Sequence, residues 1–228
     1  MKLIYWDIDG TMINTGMAGT HAIYDVFRRL MGDDAAVPHI SAGGRTDNYI
    51  CRQLLYQARG VMPTDDEVFS FCREYERNLV RWLDVTKQDS RIFENVRENL
   101  EYFRQKDDVA QLLLTGNSRD GAQMKLAAFG LDGYFDFDRS GFAEHFYVRD
   151  DLARHAIERA NAHWRNEIED VFVIGDTPYD IQCGKVIGAK TISVATGHYE
   201  KSALAEKAPW RLFDTLPAPK EMDSLIRA

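Results

Sequence analysis

Two aspartates separated by one isoleucine stand in LIYWDIDGTM, residues 3–12. Asp is poor in strands and costly to bury unpaired. A pair directly behind four large apolar residues therefore marks a place where negative charge is wanted. In an extended chain Asp7 and Asp9 lie about 7 Å apart on the same side. Two further stretches carry matching chemistry. TGNS at 115–118 offers the Thr115 hydroxyl and the backbone N–H groups of Gly116 and Asn117, donors suited to phosphate oxygens. GDTPYD at 175–180 brings Asp176 and Asp180. Carboxylates, a hydroxyl and a glycine-containing turn together suit a phosphate held against a divalent cation. Hard oxygen ligands favour Mg2+, which keeps several waters and takes one or two carboxylates. Asp7 and Asp176 are the candidates. Asp7 can also attack phosphorus to form an aspartyl-phosphate. Asp9 can protonate the leaving oxygen and then activate water. Gly10 permits the sharp exit from the strand.

Each of these stretches follows or ends an apolar run: LIYW (3–6), VAQLLLT (109–115) and VFVIG (171–175), with TISVAT (191–196) as a fourth. Such runs read as strands buried on both faces, as in a parallel sheet. YFDFD (134–138) and RLFD (211–214) are weaker strand candidates. Ile92, Val96, Leu100 and Phe103 recur at helical spacing, as do Leu152, Ala156 and Ile157. Strands alternating with helices predict an α/β fold, a doubly wound, Rossmann-like parallel sheet with ligands at the carboxyl ends of its strands.

Residues 16–88 break that alternation. Three apolar stripes run through them: Ile23, Val26, Phe27 and Leu30; Ile50, Leu54, Leu55 and Ala58; Val68, Phe71, Tyr75, Leu79 and Trp82. TDDE at 64–67, after Pro63, is a capping box opening the third helix. The expected organisation is an α/β core of residues 1–15 and 89–228, with an inserted all-helical cap at 16–88.

With 228 residues, 45% hydrophobic and 28% charged, the chain has the make-up of a globular protein. Its net charge of -8 argues against nucleic acid and anionic membranes as partners. No apolar run approaches the roughly 18 residues of a membrane span. The three cysteines, Cys51, Cys72 and Cys183, form no metal-binding pair, and free thiols fit a reducing cytoplasm. Oligomeric state is left open.

The motifs resemble those of the haloacid dehalogenase-like hydrolases, in particular their capped, phosphoglycolate phosphatase-like branch. DIDGT is similar to the family's first motif, Thr115 in LLLTGN to its second and GDTPYD to its fourth. The resemblance implies Asp7 as nucleophile and Asp9 as acid/base, with Asp9 also giving the metal a backbone carbonyl. It implies Asp176 on the metal, with Gly10, Thr11 and Asp180 in support. TGHY (196–199) and GGRTD (43–47) fit as well. The insert is then a cap that closes over a small phosphorylated metabolite. Arg45 could grip an anionic substrate from a cap loop, and His21, at the start of the cap, could see substrate. The function implied is a Mg2+-dependent phosphatase for a small phosphate monoester. A phosphomutase suits the same residues, and a dehalogenase would not need Asp9 as proton donor. A non-catalytic phosphate-binding or signalling protein, such as a receiver module, is the reading from another class.

One element of the pattern is displaced. The family's third motif is a lysine ahead of a helix between the second and third strong strands. No lysine stands between Lys125 and Lys185, and Lys125 falls too soon after Thr115. VRDDLARHAIERA (148–160) fills the position instead, so Arg149 is expected to supply the phosphate-binding cation, with Asp150 or Asp151 capping the helix. Arg139 in FDRSG is the alternative.

Overall fold

The computed structural model describes residues 1–165 and 167–228. Five strands form a parallel sheet: β1 (Lys2–Trp6), β4 (Val109–Leu113), β5 (Asp170–Gly175), β6 (Lys190–Val194) and β7 (Arg211–Phe213). Their order is β4-β1-β5-β6-β7. β1 thus lies between β4 and β5, with Trp6 opposite Leu113 on one side and Ile174 on the other. The chain leaves β1 toward β4 and then crosses back to β5. That reversal of direction creates the crevice at which open α/β sheets bind ligands.

The β1 run is apolar throughout because both of its faces are covered. Leu3 and Tyr5 pack with Leu152, Ala153 and Ala156 of α6 (Arg149–Trp164) and with Cys183 of α7 (Pro178–Val186). Ile4, Trp6 and Ile8 pack on the other face with Leu100 and Phe103 of α4 (Val96–Arg104). Leu126 of α5 (Arg119–Ala128) and Met222 of α9 (Pro219–Ile226) complete that layer. The short α8 (Lys201–Glu206) precedes β7.

Between β1 and α4 the chain makes a two-stranded antiparallel ribbon, β2 (Ile13–Asn14) with β3 (Arg91–Ile92). The ribbon carries the chain into and out of three helices, α1 (Ala18–Met31), α2 (Asp47–Arg59) and α3 (Asp65–Val85). These bury a core of their own, in which Ile23, Phe27, Leu54, Phe71, Tyr75 and Leu79 meet. The TDDE capping box is formed in both directions: Thr64 Oγ1 accepts from the Glu67 N–H, and Glu67 accepts from the Thr64 N–H. Leu30 and Ala58, at the far ends of their stripes, are exposed.

Three expectations are corrected. YFDFD is not a strand. Asp132–Tyr134 is a 3-10 turn, and the Asp136 carboxylate then accepts the N–H groups of Asp138 and Arg139. That local turn competes with a sheet ladder. Ile92 belongs to β3, so α4 begins only at Val96. Neither Asp150 nor Asp151 caps α6; Val148 stands at the cap position and both acids lie in the first turn, where they suit the helix dipole.

Among the described residues no helix is long and apolar enough to cross a membrane. The three cysteines are buried free thiols. Thr64→Ala should remove the reciprocal cap of α3 and lower stability by about 1 kcal/mol. A thermal melt should register this as a fall of roughly 2–4 °C in Tm; an unchanged Tm would mean that the cap contributes nothing to holding the helices.

Candidate active site

The carboxyl ends of the three adjacent strands deliver the site. Asp7 continues β1, its N–H donating to Ile174 O at 3.0 Å. Thr115 continues β4, where the Leu114 N–H donates to Trp6 O at 2.9 Å. Asp176 continues β5. Together with Asp9, Asn117 and Arg149 they line a cavity of about 450 Å3, roofed by residues of α1–α3 and the loop before α2.

Asp7, Asp176 and Asp180 each offer a carboxylate oxygen within 4.8 Å of the others, and all three are buried. The cluster is held by specific donors. Arg149 Nη2 donates to Asp7 Oδ1 at 2.8 Å, to Leu114 O at 3.0 Å and to Asp180 Oδ1. Thr11 Oγ1 donates to Asp176 Oδ1 at 3.0 Å. The Thr177 N–H and hydroxyl donate to Asp180 Oδ2 at 2.9 and 2.7 Å. Gly10 has φ +85°, and a Cβ there would stand 2.3 Å from Asp176 Oδ2. The turn after Asp9 thus needs glycine for both its backbone and its nearness to Asp176.

One guanidinium against three carboxylates leaves about two negative charges unbalanced, and the carboxyls respond. Burial pushes Asp7 up to about 7, against the Arg149 charge, with Asp180 and Asp9 adding to the rise. Burial, then Asp180 and Asp7, drive Asp176 well above the usual carboxylate range. Burial opposes the charge on Arg149, but Asp180 and Asp7 outweigh it and hold the guanidinium protonated. A buried, all-oxygen, electron-rich cluster of this kind fits a divalent cation, which would remove that imbalance.

Thr115 is fully buried at the cavity edge. Its Oγ1 accepts from Asn117 twice, from the backbone N–H at 3.3 Å and from Nδ2 at 2.8 Å. Both lone pairs are engaged, so the hydroxyl proton is left to donate elsewhere. Asp9 is the exposed member of the carboxylate pair, its side chain 40% accessible. Its Oδ2 accepts from Asn117 Nδ2 at 2.9 Å and from Lys125 Nζ at 2.6 Å.

The loop before α2 lies directly on these motifs. The Asp47 N–H donates to Gly116 O at 2.7 Å, and Asp47 Oδ2 accepts the Ser118 N–H at 2.9 Å. A Cβ on Gly116 would stand 2.1 Å from Arg45 O, so the approach depends on glycine. Burial raises the Asp47 carboxyl to about 6, opposed by the Lys125 charge and the Ser118 N–H. Arg45 lines the cavity with its guanidinium against the rings of Tyr49 and Tyr179, 4.6 and 4.2 Å from their centroids.

The structure thus brings together Asp7, Asp9, Gly10, Thr115, Gly116, Asn117, Arg149, Asp176 and Arg45 around one cavity, with Thr11 and Asp180 just behind it. Two residues are not gathered. His21 stacks on Trp82 at 4.6 Å and does not line the cavity. Arg139 is bonded to Asp136 and takes no part in the cavity lining. Sequence reasoning missed Lys125 and Asp47. In sequence Lys125 lies too near Thr115 to match the third motif. Yet it interrupts the buried face formed by Ala122 and Leu126, and a lysine on such a face must find a partner.

The haloacid dehalogenase-like hydrolase family model matches residues 4–194. The chain belongs to that family of hydrolases. No curated protein matches it. Solved structures share the fold end to end. A haloacid dehalogenase hydrolase from Entamoeba histolytica, family IA variant 3, has a TM-score of 0.73 at 18% identity, covering 100% of both chains. A predicted phosphatase from Clostridium acetobutylicum has a TM-score of 0.69 at 14% identity, covering 100% of this chain and 99% of that one. A predicted phosphoglycolate phosphatase from Haemophilus somnus has a TM-score of 0.65 at 18% identity, covering 99% and 98%.

A cation at the carboxylate cluster would compete with protons for the same oxygens. Without a cation, the raised carboxyls of Asp7 and Asp176 favour the folded state most below about pH 4, the ordinary carboxylate range. For Asp7 that contribution is lost as pH rises through about 7. Saturating Mg2+ should therefore raise Tm more at pH 7.5 than at pH 5, each measured against a chelator control. An equal or larger gain at pH 5 would remove the cluster as the cation site.

Proposed function

We propose that this hydrolase is a Mg2+-dependent phosphatase acting on a small phosphate monoester through an aspartyl-phosphate on Asp7. The observation that carries the reading is the meeting of two differently placed carboxylates, Asp7 buried and Asp9 open to the cavity, beside a hydroxyl with only its proton left to give. Asp7 and Asp176, with the backbone carbonyl of Asp9, would hold Mg2+, whose charge offsets that of the carboxylates and phosphate and favours attack.

In the first step an Asp7 carboxylate oxygen attacks phosphorus, the bond to the leaving oxygen breaks, and Asp9 gives that oxygen its proton. In the second, Asp9 takes a proton from water, the water oxygen attacks phosphorus, and the bond to Asp7 breaks to release phosphate. Arg149 opposes the protonation of Asp7 that burial favours, and it contributes positive charge where the phosphoryl oxygens sit. Thr115 and the N–H groups of Gly116 and Asn117 orient those oxygens. The helices α1–α3 act as a cap that excludes water. Arg45, its guanidinium held between two tyrosine rings, meets the variable part of an anionic substrate. A reducing cytoplasm suits the three free thiols.

A phosphate-release screen over phosphorylated metabolites, with and without Mg2+, tests the function. At least one monoester should be hydrolysed, only with Mg2+, and Asp7→Asn should abolish turnover while leaving the far-UV spectrum unchanged. Substantial activity in folded Asp7→Asn would end the covalent mechanism. Product analysis separates release of phosphate from its return to another hydroxyl, as in a mutase. For the displaced cation, Arg149→Ala should lower kcat/KM by about a hundredfold or more, the scale of one lost charge-stabilising donor. Arg149→Lys, which keeps the charge, should recover part. Near-normal kcat/KM in a folded Arg149→Ala protein would assign that role elsewhere.

A further inference from the structure

Lys125 is the one buried cation of the cavity that the mechanism above leaves without a task. It lies on α5, its side chain 6% exposed. A buried ammonium is costly unless its donors are met, and here two of the three are met within a closed ring. Nζ donates to Asp9 Oδ2 at 2.6 Å and to Asn117 Oδ1 at 2.6 Å. Asn117 Nδ2 donates in turn to the same Asp9 Oδ2 at 2.9 Å and to Thr115 Oγ1 at 2.8 Å. Gly19 of α1 runs alongside the ammonium. A Cβ on Gly19 would stand 3.6 Å from Lys125 Nζ and equally near the Tyr75 hydroxyl.

We infer that Lys125 is a positioning residue for Asp9: it clamps Oδ2 through itself and Asn117, so that Oδ1 is the oxygen presented for proton transfer. The inference rests on the phosphatase reading for its chemical consequence. The geometry behind it is separate. Asp9 is the more exposed carboxylate of its pair and has two side-chain torsions to settle. Both donors converge on one of its oxygens, and among the described residues no protein donor reaches the other. The clamp also couples Asp9 to Thr115 through Asn117, so the proton donor and the phosphate-orienting hydroxyl keep a fixed separation. Such precision matters where proton transfer needs heavy atoms within about 3 Å of each other.

A purely structural lysine and a positioning lysine predict different things. When Asp9 is misplaced, departure of a poor leaving group suffers, because an alkoxide needs its proton. Departure of p-nitrophenolate suffers little, because it needs none. The test is kcat/KM for β-glycerophosphate and for p-nitrophenyl phosphate in wild type, Lys125→Met and Lys125→Gln. kcat/KM reports steps only up to leaving-group departure, so the later use of Asp9 does not enter. Lys125→Met should lose about a hundredfold on the alkyl ester, the scale of general-acid assistance, and less than about tenfold on the aryl ester. Lys125→Gln, which still donates to Asp9, should recover part of the alkyl rate, and it carries the test if Lys125→Met does not fold. Equal losses on both esters would overturn the role. A crystal structure of the same variant gives a readout independent of turnover: Asp9 should leave Asn117 Nδ2. An Asp9 that stays in place without Lys125 would overturn the clamp. If wild type hydrolyses neither these esters nor any other monoester in the screen, the phosphatase reading falls, and the position of Asp9 in that crystal still decides the clamp.

Discussion

Everything at this site follows from the burial of three carboxylates, Asp7, Asp176 and Asp180, against a single guanidinium. A parallel sheet makes the crowding unavoidable: β1 and β5 are hydrogen-bonded neighbours, so the residues that follow them emerge side by side. Like charges so close in a dry environment cannot all remain ionised without compensation. Arg149, Thr11 and the Thr177 donors supply part of it. The remainder raises the carboxyls of Asp7 and Asp176 and would favour a cation.

Two cations divide the work between two aspartates. Arg149 meets Asp7 from the start of α6, in the closed interior under the sheet ends, where it also ties Asp180. Lys125 meets Asp9 from α5, at the cavity wall. The same residue type is thereby given two environments, one buried and one open. Pairs of titratable groups whose surroundings differ in this way are suited to different roles in one reaction.

The helices α1–α3 join this site through backbone and side-chain contacts at the start of α2. Gly116 lets the loop before α2 approach until an added methyl would strike Arg45 O, and Asp47 then caps the approach by accepting the Ser118 N–H. This close fit brings Arg45 to the cavity while its own bonding is to aromatic rings. The ribbon of β2 and β3 carries the chain both into and out of these helices.

The strands that carry the chemistry, and the motifs at their ends, are legible in the amino-acid sequence alone. Short continuous apolar runs alternating with helical stripes read as strands covered on both faces, and DIDGT, TGN and GDTPYD stand at the ends of three of them. The three helical stripes between 16 and 88, and the capping box of α3, are legible there as well, because helix periodicity and caps are local. Features that depend on residues far apart in the chain emerge only on packing. YFDFD alternates like a strand, but an aspartate closing a turn on its own backbone overrode the pattern. His21 had the right neighbourhood in sequence, yet its ring found Trp82, more than sixty residues on. Lys125 looked too close to Thr115 to matter. Two turns along α5, its four-carbon stem brought the ammonium back to Asp9, 116 residues away. Local pattern fixes which face of an element is apolar; which charge a long side chain finally meets is set only when the elements pack.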